Sequence, residues 1–115
     1  MGHKMHLLPE PFESMKSGNK TIEIRLNDEK RQQVKIGDTI VFHKLPEGRE
    51  KLIVKVLDLL HYKDFKSFYQ DVPFHQFGCP GKTMEWMLEN TYKIYTREQE
   101  EKYGALGIRI ELLSA

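Results

Sequence analysis

The residues best suited to chemistry in this chain are Lys20, Glu23 and Arg25, within the stretch GNKTIEIRLNDEKR at positions 18–31. Because side chains alternate along a strand, Thr21, Glu23 and Arg25 would share one face. Lys20 would lie at the start of that strand. Two cations beside one carboxylate would keep Glu23 ionised and let Arg25 bind a phosphate or a base carbonyl with two hydrogen bonds. The spacing therefore predicts a ligand site that contains one general base, Glu23.

The same charges allow a simpler interpretation. Glu23 and Arg25 are two residues apart, and such side chains also pair on a solvated sheet face, with each other or with a residue of the neighbouring strand. Alternating charge along a strand is common. The residues alone therefore leave both interpretations open.

Basic side chains are concentrated around this stretch. Residues 16–35 hold six basic and three acidic side chains, whereas residues 85–102 hold three basic and five acidic ones. One face is thus locally positive, which suits an anionic ligand or RNA. Asp28, Lys30 and Arg31 either extend the groove towards a phosphate backbone or form a solvated turn.

Aromatic side chains farther along the chain are candidates for stacking on a base, namely Tyr62, Phe74, His75 and Phe77. Most aromatic side chains belong to hydrophobic cores, so those of the 73–79 loop are the stronger candidates. Of these, Phe77 is included among the predicted binding residues.

Potential metal ligands occur only in pairs, His3 with His6 and His75 with Cys79, and neither pair has an evident third partner. No metal site or other cofactor is therefore expected. Cys79 near His75 is also the arrangement that thiol catalysis requires, but a buried or idle loop cysteine is the favoured interpretation. As the single cysteine, Cys79 excludes an internal disulfide.

Hydrophobic periodicity divides the chain into five strands and several short helices. Strands are predicted at 5–8, 20–26, 39–43, 51–60 and 105–112, and helices at 12–17, from 64, from 83 and at 96–103, with a single turn at 28–33. Thr83 is the predicted N-cap of the third helix. These elements predict an α+β domain built on a small mixed β-barrel of five or six strands with inserted short helices.

Length and composition place further bounds on function. A chain of 115 residues fits one domain, 1–115, and 39% hydrophobic with 30% charged residues is typical of a globular protein. No apolar run approaches a membrane span, so we expect no membrane partner and a cytoplasmic location. The net charge of +1 is small for tight binding to long RNA, which favours a small ligand or a short strand.

The sequence PFESMKSGNKTIEIRLNDEKRQQVKIGDTIVF, followed by the terminal YGALGIRIEL, resembles an ASCH domain, the activating signal cointegrator homology domain. The resemblance covers essentially the whole chain. Its most specific part is the pattern G-x-K-x-x-E-x-R that begins at Gly18, together with the later Gly37-Asp38 turn. The resemblance implies a β-barrel similar to the PUA fold, a cleft lined by the charged motif, and a link to RNA or modified nucleosides.

One branch of the ASCH family hydrolyses N4-acetylcytidine, using a motif lysine, a threonine three residues later as nucleophile and a distant glutamate as proton donor. The lysine corresponds to Lys20 here, but Glu23 occupies the threonine position. A carboxylate there would act as a general base on water, with Lys20 stabilising the oxyanion. The distant glutamate has no clear counterpart, and Glu85 and Glu89 are the two candidates.

The sequence thus predicts a charged cleft that binds a nucleoside or single-stranded RNA, with possible hydrolysis of an acylated nucleoside. A non-catalytic RNA-binding module and a ribonuclease are the alternatives. Lys20 and Glu23 are the predicted catalytic residues. The predicted binding residues are Gly18, Thr21, Arg25, Lys30, Arg31 and Phe77.

Overall fold

In a computed structural model that describes residues 1–115, five strands and four helices follow one another along the chain. The strands are β1 (Gly2–Leu7), β2 (Ile22–Leu26), β3 (Thr39–Lys44), β4 (Lys51–Tyr62) and β5 (Ala105–Ser114). The helices are α1 (Pro9–Lys16), α2 (Phe65–Asp71), α3 (Met84–Ile94) and α4 (Arg97–Tyr103), and short 3-10 turns lie at Arg31–Gln33 and Phe74–Gln76. The predicted α+β class is confirmed.

All five strands form one mixed sheet in the order β1-β3-β4-β5-β2. Only β1 and β3 run parallel, and the other neighbours are antiparallel. The sheet curls into a half-barrel, so its two edge strands, β1 and β2, approach each other. Between them, Nη2 of Arg25 on β2 donates a hydrogen bond of 2.8 Å to the carbonyl oxygen of His6 on β1. A side chain, rather than a strand ladder, thus connects the two edges.

The sheet buries apolar side chains on both faces. One face packs against α1, which contributes Phe12 and Met15 to a core that includes Phe42, Leu52 and Ile108. The other face packs against α2 and α3 in a second core. The buried members of this core are Ile22, Leu26, Phe65, Phe68, Tyr69, Val72, Phe77, Met87 and Ala105. Because Ile22 and Leu26 point towards α2 and α3, Glu23 and Arg25 point to the opposite face.

The helices begin where the sequence supplies capping groups. The Thr83 side chain accepts a hydrogen bond of 3.1 Å from the Trp86 N–H, which confirms Thr83 as the N-cap of α3. Thr96 and Gln99 form a capping box at the start of α4. Helix α1 begins at Pro9 rather than at the predicted residue 12, because proline is compatible with a first helical turn. No helix combines the length and apolar character that a membrane span requires.

Asp38 is a largely buried carboxylate in the turn that leads into β3. Its Oδ2 accepts hydrogen bonds from Nε2 of His3 at 2.8 Å and from the Lys35 N–H at 3.0 Å. These two hydrogen bonds are the largest contributions that lower the pKa of Asp38 from 3.8 to about 2. The Gly37-Asp38 turn of the sequence motif therefore fastens the first strand to the sheet.

We expect Asp38→Asn to lower the midpoint of thermal unfolding by a few degrees near neutral pH. Since the folded-state pKa lies below the unfolded one, the stabilisation by the carboxylate is present above about pH 4 and is lost as the pH falls through about 2. The difference in midpoint between variant and wild type should therefore shrink over that range. Circular dichroism melts at several pH values test this, with the exposed Glu47→Gln as control. A difference that is independent of pH would contradict it.

Candidate functional site

Glu23 is a buried carboxylate at the centre of the predicted site, with 4% of the residue exposed. Its Oε2 accepts a hydrogen bond of 2.7 Å from Nε of Arg25, and Nη2 of the same guanidinium also lies at 2.7 Å. Its Oε1 accepts from the Ile24 N–H at 3.1 Å and lies 3.3 Å from Nζ of Lys20. Both oxygens of the carboxylate are thus fully occupied by protein donors.

Lys20 reaches this carboxylate although simple alternation would place it on the other face of the strand. The regular strand begins only at Ile22, and Lys20 instead forms an isolated antiparallel bridge with Phe77. The N–H of Lys20 donates to the carbonyl of Ser14 at 3.0 Å, and Nζ donates to the carbonyl of Phe77 at 3.4 Å. The end of α1 and the 74–79 loop therefore hold a lysine that is only 5% exposed.

Arg25 completes the cluster at the gap between the two sheet edges. Besides its contacts with Glu23 and with the carbonyl of His6, its guanidinium lies 5.9 Å from the centre of the Phe42 ring. The structure thus brings together the three residues that the sequence predicted, as a cluster we call the charged triad: Lys20, Glu23 and Arg25. Glu23 and Arg25 pair with each other, as the simpler interpretation of the sequence predicts, but the pair is buried and not on a solvated sheet face.

The electrostatics of the charged triad are set by burial and by the two cations. Burial alone would raise the pKa of Glu23, but the charges of Arg25 and Lys20 and the hydrogen bonds outweigh it and hold that pKa below 4.5. The carboxylate is therefore ionised and weakly basic. With two cations and one anion, the triad carries a net charge of +1.

A polar cleft of about 730 Å³ lies next to the segment that carries Lys20, and none of the three triad side chains is among its lining residues. It is lined by Ser14, Gly18, Asn19, Thr21, His75, Gln76, Gly78, Pro80 and Arg109. The predicted binding residues Gly18 and Thr21 are both among them. Gly78 has φ 75°, and a Cβ there would lie 2.3 Å from Oγ of Ser14 and 3.1 Å from Cβ of Lys20. The floor of the cleft thus packs directly on the backbone that positions Lys20.

Other predicted site residues lie elsewhere. Lys30 is exposed, and Arg31 lies 3.7 Å from the carboxylate of Asp28 in the turn after β2, so neither lines the cleft. The ring of Phe77 is only 2% exposed and packs edge-on against Phe68 at 5.1 Å between centroids. Phe77 therefore contributes its carbonyl to Lys20 and has no free face on which a base could stack.

The two candidate acids and the single cysteine lie outside the charged triad. Glu85 and Glu89 are exposed on α3, and neither forms an ion pair with the charged triad. Cys79 is half-buried, and its Sγ lies 3.7 Å from the same Phe77 carbonyl that Lys20 contacts. Burial raises the pKa of the Cys79 thiol, which disfavours the thiolate. His75 faces the cleft.

Sequence reasoning missed six cleft residues: Ser14, Asn19, Gln76, Gly78, Pro80 and Arg109. Five of them come from polar loops or a helix end and carry no local signal. Arg109 does carry one, because it is the single basic residue inside the otherwise apolar strand ALGIRI. A charge in such a run is a marker for a partner or a ligand.

Fold and site together define a small α+β domain of the PUA-like kind, with a charged cluster between the edges of a curled sheet. The family model of the ASCH domain matches residues 5–114, so the chain belongs to the ASCH domain family. The resemblance that the motif indicated is therefore confirmed.

Two solved structures are similar to this chain over their whole length. The hypothetical protein PH0355, known from a crystal structure, is 36% identical, with a TM-score of 0.88 over 98% of this chain and 100% of that one. Protein PF0455 from Pyrococcus furiosus, determined by solution NMR, is 35% identical, with a TM-score of 0.79 and full coverage of both chains. No curated protein matches the sequence.

Proposed function

We propose that this protein binds a nucleoside or a short single-stranded RNA in the polar cleft beside the charged triad. The observation that carries the proposal is the buried net charge of +1 next to a cleft lined by hydrogen-bonding side chains and backbone. A buried positive charge with an open polar cleft at its side favours an anionic or strongly polar ligand. Nucleosides and RNA are ligands of this kind.

Each member of the charged triad takes a distinct role in this proposal. Glu23 holds Lys20 and Arg25 in place, because both of its oxygens are occupied and its pKa is lowered. Lys20 has three N–H groups, of which two face Glu23 and the Phe77 carbonyl. The third has no acceptor in the protein, and Lys20 adjoins the cleft through its chain neighbours Asn19 and Thr21.

The size of the cleft supports a small ligand. Its volume of about 730 Å³ lies within the range of small-molecule sites. The chain as a whole carries a net charge of only +1, which is small for tight binding to long RNA. A nucleoside, a nucleotide or a strand of a few nucleotides fits both observations.

Hydrolysis of an acylated nucleoside such as N4-acetylcytidine is the second candidate, favoured by the unpartnered N–H of Lys20. That group would stabilise the oxyanion formed when water adds to the acetyl carbonyl, before the C–N bond breaks to give acetate and cytidine. The reaction also needs a base for the water proton. Glu23, with its lowered pKa, is a weak one. Binding is therefore the primary proposal.

Calorimetric titration of the purified protein with cytidine, N4-acetylcytidine and a short oligocytidylate tests the proposal. We expect binding by wild type, and a loss of roughly 10-fold or more in affinity for Lys20→Met, because a charged hydrogen bond is removed. Arg49→Met, which changes an exposed arginine outside the cleft, is the control. Absence of binding of all three ligands to folded wild type would overturn the proposal.

The same samples decide between binding and catalysis. Chromatography after incubation with N4-acetylcytidine reports release of cytidine, and gel analysis of the oligonucleotide reports ribonuclease activity. Release of cytidine that is lost in both Lys20→Met and Glu23→Gln would establish the hydrolase at the triad. Binding of the ligand without release of cytidine would indicate a non-catalytic binding module.

A further inference from the structure

Arg109 is an unpaired cation at the wall of the cleft. Five lysine and arginine residues of this protein are mostly buried: Lys20, Arg25, Arg31, Lys44 and Arg109. The first four each form an ion pair with a carboxylate. Arg109 forms none. A partly buried cation without a counter-charge is unfavourable unless something outside the chain neutralises it.

No neighbouring carboxylate forms an ion pair with Arg109. Asp58 on β4 is opposite Arg109 in the sheet register, but its Oδ1 accepts a hydrogen bond of 2.8 Å from the Leu59 N–H. None of the residues that line the cleft is acidic. An anion entering the cleft would therefore meet a positive charge and no negative one.

Gln76 holds the guanidinium in place and adds a donor. Nη1 of Arg109 donates to Oε1 of Gln76 at 3.2 Å, so the amide N–H₂ of Gln76 must point away from Arg109. The backbone of Gln76 is itself fixed, because its carbonyl accepts from the Thr21 N–H at 2.9 Å. The other four N–H groups of the guanidinium make no hydrogen bond to protein.

These groups together form a donor-rich site that suits a phosphate. A guanidinium binds phosphate oxygens with two parallel hydrogen bonds, and the amide of Gln76 and the imidazole of exposed His75 provide further donors in the same cleft. A phosphate group offers more acceptor oxygens than a carboxylate and can use them all. The unpaired charge, the absence of acids and the fixed orientation all favour it.

We propose that Arg109 and Gln76 bind the phosphate of a nucleotide, so that the cleft prefers a phosphate-bearing ligand to a nucleoside. This inference rests on the proposed function and specifies its ligand class. The nucleoside part lies in the remainder of the cleft, and Arg109 contacts the phosphate. The two contributions are carried by different side chains and are separable by mutation.

Titration with cytidine, with cytidine 3′- and 5′-monophosphates and with the dinucleotide CpC tests the preference. We expect at least one phosphate-bearing ligand to bind roughly 10-fold or more tightly than cytidine. The monophosphates and CpC distinguish a terminal phosphate from the phosphodiester of RNA. Arg109→Met should abolish the preference.

Gln76→Glu provides a second variant that preserves shape. The new carboxylate would pair with Arg109 and repel phosphate, so it should abolish the preference in a folded protein. Arg49→Met, in a surface site that also contains Glu47 and Glu50, should retain it. A preference that survives both Arg109→Met and Gln76→Glu would overturn the inference.

Inorganic phosphate separates this inference from the proposed function. Titration with phosphate, followed through the NMR signals of the Arg109 Nε–H and the Gln76 side-chain amide, should give saturable shifts in wild type and none of the Gln76 shifts in Arg109→Met. Binding of cytidine without any phosphate effect would sink the inference and leave the proposed function intact. Phosphate shifts without binding of any nucleoside or nucleotide would overturn the proposed function and leave only an anion site at Arg109.

Discussion

Replacing Glu23 by glutamine should lower the free energy of unfolding by about 3 kcal/mol, the range expected when one partner of a buried ion pair is removed. Glu23 is 4% exposed and accepts from Lys20, Arg25 and the Ile24 N–H. An amide has only one acceptor oxygen, and its N–H₂ would face donors. Two cations would then be buried without a counter-charge.

Chemical denaturation of wild type and Glu23→Gln measures this loss. Glu50→Gln is the matched control, because Glu50 also pairs with two cations, Lys44 at 3.4 Å and Lys16 at 3.7 Å, but its side chain is 54% exposed. Exposed pairs contribute roughly 1 kcal/mol or less, so the control should change little. Equal stability of the two variants would contradict the assignment of Glu23 as the residue that holds the charged triad.

Acid should reduce the difference between wild type and Glu23→Gln. The folded-state pKa of Glu23 lies below the unfolded value of 4.5, so its stabilisation is complete above that pH and is lost as the pH falls through the folded pKa. The double variant Lys20→Met, Glu23→Gln should recover part of the stability, because it removes one of the two uncompensated charges. Additive losses would indicate that Lys20 and Glu23 are not coupled.

The sequence predicted the elements well because their signals are local. The alternation of Glu23 and Arg25 against Ile22 and Ile24 fixes which side chains share a face, and that prediction is independent of the rest of the fold. Burial is different. The triad is buried because α1 and the 74–79 loop cover it. The 74–79 loop is distant from Lys20 in the sequence and reaches it only in the folded chain.

Residues that meet across long separations could not be predicted in this way. Arg109 and Gln76 are 33 residues apart, and they meet only because the loop before α3 pairs with the start of β2, which itself pairs with β5. The orientation of the Phe77 ring also could not be predicted from the sequence. Its sequence position suggested a stacking surface, whereas its ring faces the core and only its carbonyl reaches the site.

Adding a methyl group at Gly107 should destabilise the fold by about 2 to 3 kcal/mol, because it overpacks a core that cannot yield. A Cβ on Gly107 would lie 2.4 Å from Cζ of Phe68. The Phe68 ring is fully buried, stacked on Tyr62 at 4.8 Å and packed edge-on against Phe77 at 5.1 Å. It therefore has no free space into which to move.

Thermal and chemical unfolding of Gly107→Ala test this, with Gly2→Ala in β1 as control. A Cβ at Gly2 would lie 3.6 Å from Oγ1 of Thr39, an ordinary contact, so that variant should be close to neutral. Phe68→Leu combined with Gly107→Ala should be less destabilised than the sum of the two single changes, because the smaller side chain makes room for the methyl group.

The effect of Gly107→Ala should also reach the charged triad. Phe68 pushed away from Gly107 presses on Phe77, whose carbonyl accepts from Lys20 and whose backbone bridges to it. We therefore expect the folded fraction of Gly107→Ala to bind ligand more weakly than wild type, and Phe68→Leu to restore affinity together with stability. Restored stability without restored affinity would mean that the aromatic core supports the fold but does not position Lys20.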